Sequence, residues 1–228
     1  MSRGGGDRWV FEQLVGALPG FGPRSRAAVA VQVVLFEAAV LALGWHYELP
    51  EAALAGTVAV LLAGIGSLVL LRLGAGNRRI DAPARHTALL FASSAEVVLA
   101  VLGFVALVVH LFVVDPADGT SLVTRLFGPS PPAAAVFLAL LVIWDLCYRA
   151  ATSWWVALVS LRRARRVALD PASRTRSRRL DAVNAGFALA HLVLAPFLFE
   201  APILSAALAV HVVGVVALSA AAAALTGR

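Results

Sequence analysis

The chain has 228 residues, of which 61% are hydrophobic and only 14% are charged, and its mean hydropathy is +0.87. Soluble domains carry about 25% charged residues, so this composition excludes an ordinary soluble domain and indicates a membrane protein. All nineteen basic residues are arginines, and the net charge is +6. Because these arginines lie between apolar runs, we interpret them as contacts to anionic lipid headgroups rather than to nucleic acid. The single cysteine, Cys147, excludes an internal disulfide.

Residues 1–26 are predicted to form a cytoplasmic N-terminal segment. Within it, apolar side chains recur at helical spacing at Val10, Phe11, Leu14, Val15 and Leu18. This pattern predicts a short amphipathic helix between residues 7 and 18 that lies on the membrane surface, with Trp9 at headgroup depth.

Six apolar runs follow, and each is close to the roughly 20 residues that cross a hydrocarbon core. They cover residues 27–45, 52–73, 87–114, 133–157, 182–199 and 202–225. The sequence therefore predicts one all-α domain, residues 27–228, built as a polytopic bundle of six transmembrane helices. Pro196 lies in the last turn of the fifth span and is expected to bend or fray it.

The distribution of arginine predicts the orientation. Seventeen of the nineteen arginines fall on the side that holds both termini and the segments 74–86 and 158–181, whereas Arg125 is the one arginine on the other side. Cytoplasmic segments are enriched in basic residues, so we expect a multi-pass protein of the cell membrane with both termini in the cytoplasm. The arginines expected to contact headgroups are Arg162, Arg163, Arg165, Arg166, Arg178 and Arg179.

Ionisable side chains interrupt five of the six spans, and they define the candidate site: Glu37, Glu96, Asp145, Arg149, His191 and His211. At ~1.5 Å rise per residue, most of them lie about 13–15 Å from a span boundary, near the bilayer midplane. A charge at that depth costs about 2.5–3.5 kcal/mol, so these groups must face the bundle interior and pair or become neutral. Asp145 and Arg149 are four residues apart, in reach of an intrahelical salt bridge.

Two further polar residues extend this midplane cluster. His110 shares a helix face with Glu96, and Asn184 shares one with His191, so both are candidates for a polar path through the bundle. Carboxylates and histidines inside a membrane are typical of proton relays and coupled transport. The first functional hypothesis is therefore a path for protons, ions or a small solute.

The alternative is a non-catalytic structural or partner-binding membrane subunit in which these residues only fix helix packing. Its expected partners are lipids and a second copy of the chain or another membrane subunit. We expect no enzymatic activity, no catalytic residues and no cofactor, because Gly-x-Ser-x-Gly, His-Glu-x-x-His, P-loop and dinucleotide-binding motifs are absent. A metal site of mixed histidine and carboxylate ligands is a weaker hypothesis, since no paired ligand spacing supports it.

Overall fold

The computed structural model describes Trp9, residues 26–117 and residues 121–226. Over these residues the chain is helical and contains no strand, and six helical segments are long and apolar enough to cross a membrane. The all-α class and the six apolar spans are thereby confirmed. The predicted amphipathic helix lies outside the described residues except for Trp9.

Eight α-helices make up the body of the described chain. They are α1 (Arg26–His46), α2 (Pro50–Asn77), α3 (Ala84–Phe91), α4 (Ala95–Val109), α5 (Leu122–Phe127), α6 (Ala133–Arg166), α7 (Pro171–Ala190) and α8 (Pro202–Thr226). A π-helical segment, His110–Val114, extends α4. A 3-10 turn, His191–Leu194, and a last helical turn, Ala195–Leu198, extend α7. The 3-10 turn directly precedes Pro196, which has no N–H to bond a carbonyl four residues back.

Successive membrane helices run in opposite directions. Gly44 on α1 faces Ala53 on α2, and Gly64 on α2 faces Val33 on α1, so the two helices are antiparallel. A glycine lies at each of these points, where the two helices approach closely. Because this alternation continues along the chain, six helix ends lie on the same side of the bundle, namely those at Arg26, Asn77, Ala84, Arg166, Pro171 and Thr226. We call this side the arginine-rich end and the other, which holds α5, the opposite end.

The third predicted span is not one uninterrupted helix. α3 ends at Phe91, and α4 begins at Ala95 after Ser94, whose φ of 52° lies in the left-handed region. The Ser93 hydroxyl accepts a hydrogen bond from the Ala95 N–H at 3.4 Å, and serine side chains that bond nearby backbone compete with helical hydrogen bonds. Glu96 therefore lies in the first turn of a new helix and not inside a continuous one.

The fourth and fifth spans are longer than predicted. α6 continues past Ala157 to Arg166, and α7 begins at Pro171 rather than Ala182. Arginine is a good helix former, so the helices continue where hydropathy falls. The carboxylate of Asp170 caps α7 by accepting from the N–H groups of Ala172 and Ser173 at 2.9 and 3.1 Å. The connection between these helices is thus only four residues long.

Large apolar side chains point outward from the bundle while charged ones are buried. Val34, Phe137 and Val210 are 64–65% exposed, whereas Arg149 is fully buried. This arrangement is the one a lipid environment favours. Trp9 departs from its prediction, because it is buried against α3, where its indole N–H donates to the Leu90 carbonyl at 3.1 Å.

Candidate functional site

Polar side chains line the contact between α6 and α7. On α6 they recur three to seven residues apart, and on α7 they do the same in the opposite direction, so each set lies on one helix face. The set comprises Asp145, Arg149, Ser153, Ser160 and Arg163 on α6 and Ser177, Asp181, Asn184 and His191 at α7. We call these nine residues the polar interface; all except Asp145 are buried.

Arg163 organises the polar interface at the arginine-rich end. Its guanidinium donates to the side-chain oxygen of Asn77 on α2 at 2.7 Å and to the hydroxyl of Ser177 on α7 at 2.7 Å. One charged group thus joins α2, α6 and α7. Hydrogen bonds to a charged donor are stronger than neutral ones, so this contact fixes how the three helices meet.

Ser160 links this cation to a carboxylate. Its hydroxyl oxygen accepts from Arg163 at 3.0 Å, and its O–H donates to Asp181 Oδ1 at 2.5 Å. Asp181 Oδ2 and Arg163 Nε are both buried and have no hydrogen-bond partner among the described residues. The Ser160 hydroxyl therefore bridges the guanidinium group of Arg163 and the carboxyl group of Asp181. One donor atom and one acceptor atom of this pair make no hydrogen bond within the described residues.

Asn184 occupies the middle of the polar interface. Its carbonyl oxygen accepts from the Ser153 hydroxyl at 2.8 Å, and its amide group donates to the Ser153 carbonyl at 3.0 Å and to the Ser219 hydroxyl at 3.3 Å. Asn184 is fully buried, and these bonds connect α6, α7 and α8.

Asp145 and Arg149 form the predicted intrahelical pair, with 2.7 Å between Oδ2 and Nη2. The arginine side chain lies over Gly66 of α2, where an added Cβ would come 2.4 Å from Arg149 Cδ and 2.7 Å from Phe187 Cζ. Beside Asp145, a void of about 10 Å³ opens toward Gln32 on α1. That volume is close to the minimum for one water molecule.

The two histidines of the predicted cluster are in ring contact. The centroids of His191 and His211 are 4.6 Å apart, and Phe187 lies 4.7 Å from His191. His191 Nδ1 is 2.9 Å from the Phe187 carbonyl, which can only accept, so Nδ1 carries the proton. The Nε2 atoms of both rings are buried without a hydrogen-bond partner in the described chain.

The structure thus brings four of the six predicted residues to one side of the bundle and leaves two elsewhere. Glu37 accepts a hydrogen bond from Thr57 at 2.7 Å, between α1 and α2. Glu96 is 1% exposed at the start of α4 and has one carboxylate oxygen without a partner among the described residues. His110 is half-buried at the start of the π-helical segment. The hydrogen bond of Glu37 thus joins α1 to α2 and does not reach α6 or α7.

The sequence did not predict that Arg163 is buried at the arginine-rich end. Arg163 was predicted to contact lipid headgroups, but it is 2% exposed and bonded inside the bundle, so that prediction does not fit its position. Arg162, Arg165, Arg166, Arg178 and Arg179 are exposed. The available signal was the spacing of Ser173, Ser177, Asp181 and Asn184, which places four polar residues on one helix face.

Metal ligation has no support in this geometry. Across residues 26–117 and 121–226, together with Trp9, no three His, Cys, Asp or Glu side chains lie close enough to hold a metal ion. The groups of the polar interface are instead alternating hydrogen-bond donors and acceptors. Chemically, such an arrangement can hold, exchange and pass protons.

Six apolar spans around buried, mutually bonded polar side chains are the features of a multi-pass membrane protein. The chain belongs to the family of unknown function DUF7530, whose profile matches residues 5–222. No curated protein and no solved structure matches the chain significantly.

Proposed function

We propose that the protein carries protons, alone or together with a small solute, along the polar interface. The observation that carries this proposal is the His191–His211 ring pair, which lies where the polar interface reaches the middle of the bundle. Histidine is the side chain best suited to gain and lose a proton near neutral pH. Two imidazoles in contact take up at most one proton between them, because the first positive charge repels a second.

The remaining residues supply a route from this pair to the arginine-rich end. Along α6, Asp145 and Arg163 are separated by about 27 Å, which is most of a hydrocarbon core. On α7, Asn184 bonds Ser153 and Asp181 bonds Ser160. Hydrogen-bonded pairs between the two helices therefore lie at both ends of the apolar interval between Ser153 and Ser160.

Two buried guanidinium groups favour protons over metal cations. Arg149 and Arg163 are fully or almost fully buried within the polar interface. A positive charge in a medium of low dielectric constant strongly repels a hydrated cation. A proton relayed between hydroxyl, carboxylate and imidazole groups is repelled in the same way, but it sheds no hydration shell, and the carboxyl groups of Asp145 and Asp181 lie beside the two guanidinium groups.

The test is proton flux in liposomes that contain the purified protein, followed with a trapped pH-sensitive dye under an imposed pH gradient. The double substitution His191→Gln and His211→Gln is expected to lower the flux by at least about tenfold. His46→Gln is the matched control, because His46 is exposed at the end of α1 and should leave the flux unchanged. Equal flux from wild-type and doubly substituted protein, or no flux above empty liposomes, overturns the proposal.

For the orientation, we propose a cell-membrane protein whose arginine-rich end and termini face the cytoplasm, where exposed arginines contact anionic lipids. In a Cys147→Ser background, Glu51→Cys at the opposite end should react with an impermeant thiol reagent in intact cells. Ala168→Cys, between α6 and α7, should react only after permeabilisation. The reverse pattern overturns this orientation.

The second candidate is a non-catalytic structural or partner-binding membrane subunit whose buried polar residues only fix helix packing. The observation in its favour is Asn184, whose three hydrogen bonds join three helices as a packing contact would. Specific co-purification of a membrane partner, together with absent proton flux, favours this function. Neither candidate includes a covalent step or binding to nucleic acid.

A further inference from the structure

A small cavity lies at the arginine-rich end, apart from the polar interface. It lies between α3 and the last turn of α6, is partly open to the surface and has a volume of about 130 Å³. Its lining consists of Arg85, His86, Leu89, Arg162, Arg166 and Val167. Since about 10–15 Å³ of volume measured in this way already holds one water molecule, this space has room for several. It therefore suits one small polar group rather than a large ligand.

All the charged residues that line this cavity are positively charged. Three of the six lining residues are arginines, and none is acidic. Arg85, Arg162 and Arg166 make no hydrogen bond or salt bridge with any other described residue. The lining residues include no acidic counter-charge for these arginines, and like charges repel each other, so a bound anion would stabilise this arrangement.

His86 provides a second observation that indicates a ligand. Its side chain belongs to a residue only 7% exposed, and its Nε2 atom is buried without a hydrogen-bond partner in the described part of the chain. A buried polar atom without a partner is costly unless a ligand or water satisfies it. His86 lines the cavity, but its Nε2 atom does not open to this space, so a bound group reaches this atom only when the imidazole turns toward it.

We propose that this cavity binds a single phosphate group, held by Arg85, Arg162 and Arg166 with His86 at its base. Guanidinium groups bind phosphate oxygens through paired, charge-assisted hydrogen bonds. The phosphate belongs either to a lipid headgroup or to a small soluble phosphate. This site goes beyond the proposed proton path and does not depend on it, because no residue of the polar interface lines the cavity.

The experiment measures binding to purified protein in an uncharged detergent. One arm titrates inorganic phosphate, and the other titrates phosphatidic acid in mixed micelles, both by calorimetry. The double substitution Arg85→Gln and Arg166→Gln is expected to weaken binding by about tenfold or more. The control is Arg178→Gln with Arg179→Gln, which removes the same charge from exposed positions outside the cavity and should change affinity less than threefold.

The outcomes separate the sources and can overturn the site. Binding in both arms indicates that the phosphate group alone is recognised, and binding only in the phosphatidic acid arm indicates a lipid headgroup. Equal losses in the two double variants would show diffuse attraction without a site and overturn the proposal. Absence of binding in both arms also overturns it. None of these results depends on whether the protein carries protons.

Discussion

The two halves of the bundle are held together in different ways. Toward the arginine-rich end, α2, α6 and α7 meet through Arg163 and Asn77 and through the contact of Arg149 with Gly66. Toward the opposite end, α1, α2, α5 and α6 surround an apolar cavity of about 170 Å³ without a single polar side chain in its lining. The same two long helices, α2 and α6, thus contribute to a bonded half and to a loosely packed half.

This difference shows where helix packing is specified in a lipid environment. Apolar surfaces gain little by leaving lipid for protein, so aliphatic contacts alone select a packing arrangement weakly. Hydrogen bonds and close approaches at small residues are specific, and these lie mostly in the arginine-rich half. The cavity of the opposite half is similar in size to an apolar cavity of about 150 Å³ that stays dry and accepts small apolar molecules.

The largest expected effect is that of Arg163→Leu, which removes the link among α2, α6 and α7. The substitution leaves Asn77, Ser177 and Asp181 buried without their cationic partner. Breaking a buried charged contact from one side costs about 3–5 kcal/mol in the free energy of unfolding. Thermal unfolding in detergent measures the loss, and exposed Arg165→Leu is the control, expected to cost less than about 0.5 kcal/mol. Equal losses would mean that the link does not hold the helices together.

Gly66→Ala should have the next largest effect, because its methyl group would meet the side chains of Arg149 and Phe187. Overpacking of this kind costs about 1–3 kcal/mol. Gly103→Ala on α4 is the matched control, since an added Cβ there has nothing within 4 Å. The control should be neutral or gain up to about 1 kcal/mol from the higher helix propensity of alanine. A neutral Gly66→Ala would contradict close packing at this point.

Much of the fold could be predicted from hydropathy, whereas the site could be predicted only in part. The six spans and the Asp145–Arg149 pair follow from apolar runs and helical spacing within one helix. Arg163 could not be placed by hydropathy, because an arginine near a helix end looks the same whether it points to lipid headgroups or to a neighbouring helix. Its burial depends on Asn77 and Ser177, which lie 86 and 14 residues away in the sequence.

The position of Glu96 shows a second limit. Its predicted depth assumed a continuous third span, but the break at Ser93 and Ser94 starts a new helix just before it. A serine pair within an apolar run is compatible with both a straight helix and a break, since either conformation can satisfy the hydroxyls. The contact between His191 and His211 likewise could not be predicted without knowing how α7 and α8 are arranged in space.

In the opposite half, Ala139→Leu on α6 should fill part of the apolar cavity. The expected result is a gain of up to about 1 kcal/mol, because cavity filling adds contacts without breaking a hydrogen bond. Thermal unfolding measures the change, and Ala157→Leu, at a fully packed position of the same helix, is the control and should destabilise. If Ala139→Leu were as costly as Ala157→Leu, the two halves would not differ in packing.

The smallest expected effect concerns Asp170, which caps α7 and so helps to align Ser173, Ser177 and Asp181 with α6. Hydrogen bonds from the Ser173 hydroxyl and backbone N–H lower the pKa of this exposed carboxyl. The ionised form therefore stabilises the fold above the usual aspartate pKa of about 4, and this contribution is lost as the pH falls through the lowered pKa. Asp170→Ala should lower Tm at pH 7 by roughly 1 °C, and the difference from wild type should shrink at low pH, where the protonated carboxyl keeps only a neutral acceptor oxygen. Asp170→Asn keeps an acceptor for the cap at every pH, so its difference from Asp170→Ala should persist on acidification, and a difference that vanished would contradict capping as the cause.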